Sequence, residues 1–222
     1  MIGAVLFDVD GTLIDSNDLH AAAWRETFCR FGIDIPLEEI RRQIGKGGDN
    51  LIPSLVPQAV EEARHEEIES FRSDLFKRDY LPRVVPFPQV LQLFERLVGD
   101  GRKIVLASSA KGAEVNYHLD VIGAPDLVTA TTSADDVEHS KPCPDIFAAA
   151  LAKVAPLTAQ EVVVVGDSPY DVQAAKKLGI RVIGMRSGGF DGQMLIDAGA
   201  DELYDSPEEL LRNYESSLLC RE

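Results

Sequence analysis

Cysteine is scarce in this chain of 222 residues, and cations are outnumbered. Cys29, Cys143 and Cys220 are scattered, odd in number and without a C-x-x-C pair. That argues against a disulfide framework or a zinc site and fits reduced thiols in a cytosol. Lysine and arginine number 22 against 37 acids, a formal net charge of −15. Such a surface repels nucleic acid and anionic lipid, so neither is an expected partner. An anionic ligand must therefore be drawn in by local cations. No apolar run approaches the ~20 residues that span a bilayer. The N-terminus also lacks the basic region and small-residue cleavage site of a signal peptide. No internal repeat or low-complexity tract occurs. The expectation is a soluble cytoplasmic protein.

What is present begins at residue 4. Hydrophobic residues make up 45% of the chain and charged ones 27%, enough to bury a core. Ala4-Val5-Leu6-Phe7-Asp8-Val9-Asp10-Gly11-Thr12-Leu13 reads as a buried parallel strand that delivers two aspartates to its carboxyl end. In open α/β sheets, ligands gather at that end. Side chains alternate along a strand, so Asp8 and Asp10 point to the same side. Gly11 lets the chain turn away. Two such carboxylates repel unless a cation joins them or one takes up a proton. A pair of solvated turn aspartates is the plainer reading of the same stretch.

Beyond it, residues 14–81 read as an all-helical insertion. One helix runs through His20, Trp24 and Phe28, a second follows Pro36, and a third, charge-rich and solvated, covers Gln58 to Tyr80. A glycine-rich break at Ile44–Asp49 separates them. The remainder alternates strand and helix, with strands over Lys103–Ala107, Leu127–Thr131, Val162–Val165 and Arg181–Met185. Helices are expected over Val90–Val98, Lys111–Val121, Pro144–Val154, Tyr170–Leu178 and Gln193–Ala198, with a short one after Pro207. Alternation of this kind implies a doubly wound parallel sheet with helices on both faces, a Rossmann-like α/β core. The expected division is a core of 1–13 and 82–222 with a small inserted helical domain at 14–81.

Two further strands end in small polar or acidic residues. Lys103–Ala107 runs into Ser108-Ser109, and Val162–Val165 into Gly166-Asp167-Ser168-Pro169-Tyr170-Asp171. Ser140-Lys141-Pro142 stands just before a helix. The rim of a parallel sheet would thus collect up to four carboxylates, two hydroxyls and a lysine. Oxygen donors of this kind suit Mg²⁺ together with phosphate oxygens. A lysine, a hydroxyl and backbone N–H groups suit the phosphate itself. Read singly, each residue has a plainer role: Ser108 and Ser109 as helix caps, Asp171 as a first-turn acid, Lys141 as a solvated lysine.

Together, DVDGT at 8–12, the strand ending in Ser108, Lys141 before Pro142 and GDSPYD at 166–171 resemble the four ordered motifs of the haloacid dehalogenase-like hydrolase superfamily. The insertion resembles its small helical cap, in the branch of phosphoglycolate phosphatases and β-phosphoglucomutases. The resemblance implies that Asp8 is the nucleophile that takes up a phosphoryl group, and that Asp10 is the general acid and base. It implies a Mg²⁺ site of Asp8, Asp10 (through its backbone carbonyl), Asp167 and Asp171, with Ser108, Ser109 and Lys141 on the phosphate. The implied activity is a Mg²⁺-dependent phosphatase of a small phosphorylated metabolite, as monomer or homodimer. Alternatives are a sugar phosphomutase, a phosphonate-cleaving hydrolase with Lys46 as Schiff-base former, and a metabolite-binding regulatory module. His20 and Lys46, both in the insertion, are candidate substrate contacts; their plainer readings are a structural histidine and a loop lysine.

Overall fold

The apolar run Ala4–Phe7 forms strand β1, every residue fully buried, in a computed structural model that describes residues 1–221. Five more strands lie parallel to it: β2 (Lys103–Ala107), β3 (Ala130–Thr132), β4 (Val162–Gly166), β5 (Arg181–Met185) and β6 (Glu202–Tyr204). Their order across the sheet is β3-β2-β1-β4-β5-β6. The order reverses between β1 and β4, so the connections leaving these neighbours diverge and open a crevice at their carboxyl ends. Phe7 pairs with Val165 across that junction, which sets Asp8 beside the residues that follow β4.

The two-residue period of β1 splits the core. Val5 and Phe7 pack with Leu93 and Phe94 of α5 (Val90–Gly99) and Val115 and Leu119 of α6 (Gly112–Ile122). Ala4 and Leu6 face the other way, onto Ile146 and Phe147 of α7 (Asp145–Ala152) and Val172 and Ala175 of α8 (Pro169–Lys177). Helix α5 shows why: Val90, Leu93, Phe94 and Leu97, its buried residues, recur at one-turn spacing and make a single apolar stripe. Gly192–Ala198 and Pro207–Arg212 complete the helices of the core.

Between β1 and β2 the chain builds α1 (Asn17–Arg30), Leu37–Arg41, Gly48–Leu55 and α4 (Gln58–Leu75), which continues as a wide π turn over Phe76–Tyr80. These helices gather a third apolar cluster around Trp24, Phe28, Ile40, Ile52 and Ile68. Where the chain leaves and re-enters the core, Ile14–Asp15 and Val85–Pro86 pair antiparallel, and the Phe87 N–H donates to the Leu13 carbonyl at 2.9 Å.

Several elements differ from the sequence reading. The glycine-rich break holds a helix from Gly48, because burial of Leu51 and Ile52 in the third cluster outweighs poor helix propensity. Strand β6 was not expected: three half-buried residues at a sheet edge carry no readable period. The charge-rich α4 is not wholly solvated, since Ile68 and Leu75 are buried and Arg72 turns inward.

Phe94 is fully buried with its ring 5.2 Å from that of Phe7. Phe94→Ala should therefore cost about 3–5 kcal/mol of stability. In urea unfolding the midpoint should drop with an unchanged slope, and a loss under about 1 kcal/mol would contradict this packing.

Candidate active site

Asp8 follows β1 directly and is only 6% exposed. Its carboxylate accepts from the Lys141 ammonium and, at 3.1 Å, from the Thr12 hydroxyl. Lys141, buried despite its charge, also pairs with Asp171 at 2.7 Å and donates to the Ala107 carbonyl at 3.2 Å. Asp167 follows β4 and accepts from the Asn17 side chain of α1 at 2.8 Å. Asp171 stands in the first turn of α8, where its carboxylate accepts from the Ser168 N–H at 3.0 Å and hydroxyl at 2.6 Å. Oxygens of Asp8, Asp167 and Asp171 lie within 4.8 Å of one another, all three residues buried.

Three carboxylates thus share one lysine. Burial pushes the Asp8 carboxyl up to about 7 against the pull of Lys141, with Asp171 and Asp10 adding repulsion. Burial likewise drives Asp167 well above the usual carboxylate range, reinforced by the charges of Asp8 and Asp171. Lys141 is also raised: despite its burial, Asp171 and Asp8 hold the ammonium charged. A set of oxygen donors short of positive charge fits a hard divalent cation. The backbone leaves room around it. A Cβ on Gly188 would sit 1.6 Å from an Asp167 oxygen, and one on Gly11 would sit 2.5 Å from the same oxygen.

Asp10 faces elsewhere. Its carboxylate accepts from Ser16 at 2.6 Å and from His20 Nε2 at 2.9 Å. In spite of burial, these partners hold it well below the usual carboxylate range. Ser16, at the start of α1, thus gives its hydroxyl to Asp10 and not to its own helix. Arg72 of α4 donates to His20 Nδ1. A guanidinium only donates, so Nδ1 accepts and Nε2 carries the proton given to Asp10. The His20 ring stacks on Phe76 with centroids 4.0 Å apart.

The remaining candidates divide. Ser108 is buried, and its hydroxyl accepts from the Ala110 N–H at 3.0 Å, a local turn bond. The Ser109 hydroxyl is buried without a partner and faces a cavity of about 80 Å³. Asp8, Asp10, His20, Arg72 and Glu114 line the same cavity. Lys46 borders it too, but its ammonium donates to Gln43 at 2.6 Å and Ser54 at 2.9 Å within the insertion. The insertion also grips the core: Asn50 donates to the Ser140 hydroxyl at 3.0 Å, which donates to Asp49 at 2.5 Å. Sequence reasoning missed Arg72, Glu114 and Asn17. Asn17 stands at the start of α1, a candidate helix cap, which was its only signal.

This arrangement defines a class: a Rossmann-like hydrolase core with a helical insertion folded over its carboxyl-end rim. The chain matches the haloacid dehalogenase-like hydrolase family over residues 5–185 and belongs to it. The phosphorylated carbohydrates phosphatase of Thermotoga maritima is 30% identical to this chain, across 94% of this chain and 96% of its own length. The phosphoglycolate phosphatase of Salmonella paratyphi A is 27% identical, across 95% and 91%. Among solved structures, a hydrolase from Pseudomonas syringae superposes with a TM-score of 0.89 at 28% identity, covering 96% of this chain and 98% of that one. The chloroplastic protein SUPPRESSOR OF QUENCHING 1 of Arabidopsis thaliana is 30% identical over 92% of this chain, which spans 20% of that longer protein. No helix of the described residues is long and apolar enough to cross a membrane.

The crowding of acids has a consequence for stability. A carboxyl whose proton affinity is higher folded than unfolded stabilises the fold below the unfolded pKa, near 3.8 for Asp8, and that gain is lost as pH rises through about 7. In EDTA, the protein should lose stability from pH 5 to pH 8. Asp8→Asn, which cannot ionise, should gain on it by roughly 1–3 kcal/mol over that range. Urea midpoints that run parallel for the two proteins would contradict the raised Asp8 carboxyl.

Proposed function

We infer that this chain is a Mg²⁺-dependent phosphatase of a small phosphorylated metabolite, working through a phosphoryl group held on Asp8. The observation that carries this reading is the divided treatment of two aspartates at the end of one strand. Asp8 is placed against Lys141 and the acid cluster, while Asp10 is bound by Ser16 and His20. In this reading an Asp8 oxygen attacks phosphorus and the bond to the ester oxygen breaks, with Asp10 first taking a proton from solvent water as substrate binds and then giving it to the departing oxygen. In the second half, Asp10 takes the proton of the water that attacks phosphorus, which frees Asp8 and releases phosphate. The hydrogen bonds from Ser16 and His20, which keep the Asp10 carboxyl low, support that base role. Asp8, Asp167 and the Asp10 carbonyl would hold Mg²⁺, with Asp171 beside them, and the ion would neutralise charge between Asp8 and the phosphate dianion.

Lys141 and the Ser108–Ser109 turn would bind the transferred group, and His20 would orient Asp10. Residues 14–81 would act as a cap over a core of 1–13 and 82–222, excluding water during transfer. The relatives' printed names, phosphatases of phosphorylated carbohydrates and of phosphoglycolate, support the reaction class. The commitment of the Lys46 ammonium to Gln43 and Ser54 speaks against a Schiff base there, hence against phosphonate cleavage. A phosphomutase of the β-phosphoglucomutase type would carry a second acid where Gly166 stands. A Cβ there would lie 2.6 Å from that of Asp171, which favours the phosphatase. A cytoplasmic monomer or homodimer is the setting this reading implies.

Hydrolysis of p-nitrophenyl phosphate should require Mg²⁺, cease in EDTA and return when the metal is restored. Asp8→Asn should retain less than about 1% of that rate. Retention of more than a few per cent would remove Asp8 from the nucleophile's role, and isomerisation of glucose 1-phosphate at a comparable rate would favour the mutase.

A further inference from the structure

The cavity at Asp8 continues outward between insertion and core. Trp24, Arg72, Ser109 and Glu114 line both the inner part of about 80 Å³ and an adjoining part of about 70 Å³. Glu114, in the first turn of α6, is 3% exposed. Its carboxylate forms no hydrogen bond or ion pair among the described residues. Two groups on this cavity, Arg72 Nε and the Ser109 hydroxyl, are buried without partners. One terminal nitrogen of the Arg72 guanidinium donates to His20, and the group lies over the rings of Trp24 and Phe76.

Buried acceptors and donors cost free energy until something satisfies them. The local charges of Glu114 and Arg72 balance, so the pair does not call for an ion. It calls for a group that donates and accepts together. A hydroxyl does both, giving its proton to Glu114 while accepting from Arg72 Nε or Ser109. A carboxylate or second phosphate at this place would meet Glu114 with like charge, and an alkyl group would leave all the polar groups unpaired. Farther out, Glu69, Asp135 and Glu138 outnumber Lys111 along the mouth. Lys46 cannot offset this without leaving Gln43 and Ser54.

The geometry points to a defined substrate class: phosphate monoesters of uncharged, polyhydroxylated alcohols, with Glu114 as the residue that reads the alcohol's hydroxyl. This rests on the phosphatase reading and narrows it.

Three matched esters test it: glycerol 3-phosphate, 3-phosphoglycerate and propyl phosphate, assayed beside p-nitrophenyl phosphate by phosphate release. The protein should prefer glycerol 3-phosphate over each of the other two by at least about tenfold in kcat/KM. Glu114→Gln should shrink its preference over 3-phosphoglycerate by at least about tenfold, mainly through KM. Equal or better turnover of 3-phosphoglycerate by the unaltered protein overturns the inference while the phosphatase reading stands. An unchanged preference in Glu114→Gln overturns the role of Glu114. No hydrolysis of any ester, p-nitrophenyl phosphate included, removes both readings. Should Glu114→Gln fail to fold, the ranking by the unaltered protein decides the substrate class alone.

Discussion

Like-charge crowding at the reversal of a parallel sheet is the constraint on which this molecule turns. Asp8, Asp167 and Asp171 are buried within 4.8 Å of one another, with Lys141 as the cation among them. Their strands and helix leave no freedom to relax the repulsion, because β1 and β4 are locked by parallel pairing with fully buried side chains. What surrounds the cluster supplies donors and removes bulk. Thr12 and Asn17 donate, while Gly11 and Gly188 keep the Cβ positions clear of Asp167. Unaided by a cation, such a cluster resolves its repulsion by holding protons, which is why the Asp8 and Asp167 carboxyls are pushed upward.

The insertion completes the chemistry that the sheet begins. It supplies Ser16 and His20 to Asp10, fixing the second aspartate in a state unlike that of the first. Arg72 in turn selects the His20 tautomer. Asp49 and Asn50 hold the Ser140 segment immediately before Lys141. The insertion therefore touches both Asp10 and the chain that carries the buried cation. Two aspartates just past one short strand are held differently because one answers to the core and the other to the insertion.

The sheet was legible because β1, β2 and β4 are apolar runs ended by glycine or small polar residues, and β5 is a further apolar run. Asp8 and Asp167 were legible because both follow strand ends, and a parallel sheet brings such ends together; Lys141, ahead of α7, was legible from the motif before Pro142. Periodicity could not find Arg72, which sits in a helix of dense charge whose polar face reads as solvated until α1 and Phe76 close over it. Glu114 carried the ordinary signature of a first-turn acid, and only the cavity sets it apart. The helix from Gly48 and strand β6 escaped for a related reason: tertiary burial, not local preference, forms them.

The most direct measurement of the central claim is calorimetric titration of Mg²⁺ near pH 6.5 in two buffers of different ionisation enthalpy. If repulsion among buried acids holds protons that a divalent cation displaces, one ion should bind and release close to one proton. Binding without proton release, or no binding at millimolar Mg²⁺, would contradict the account.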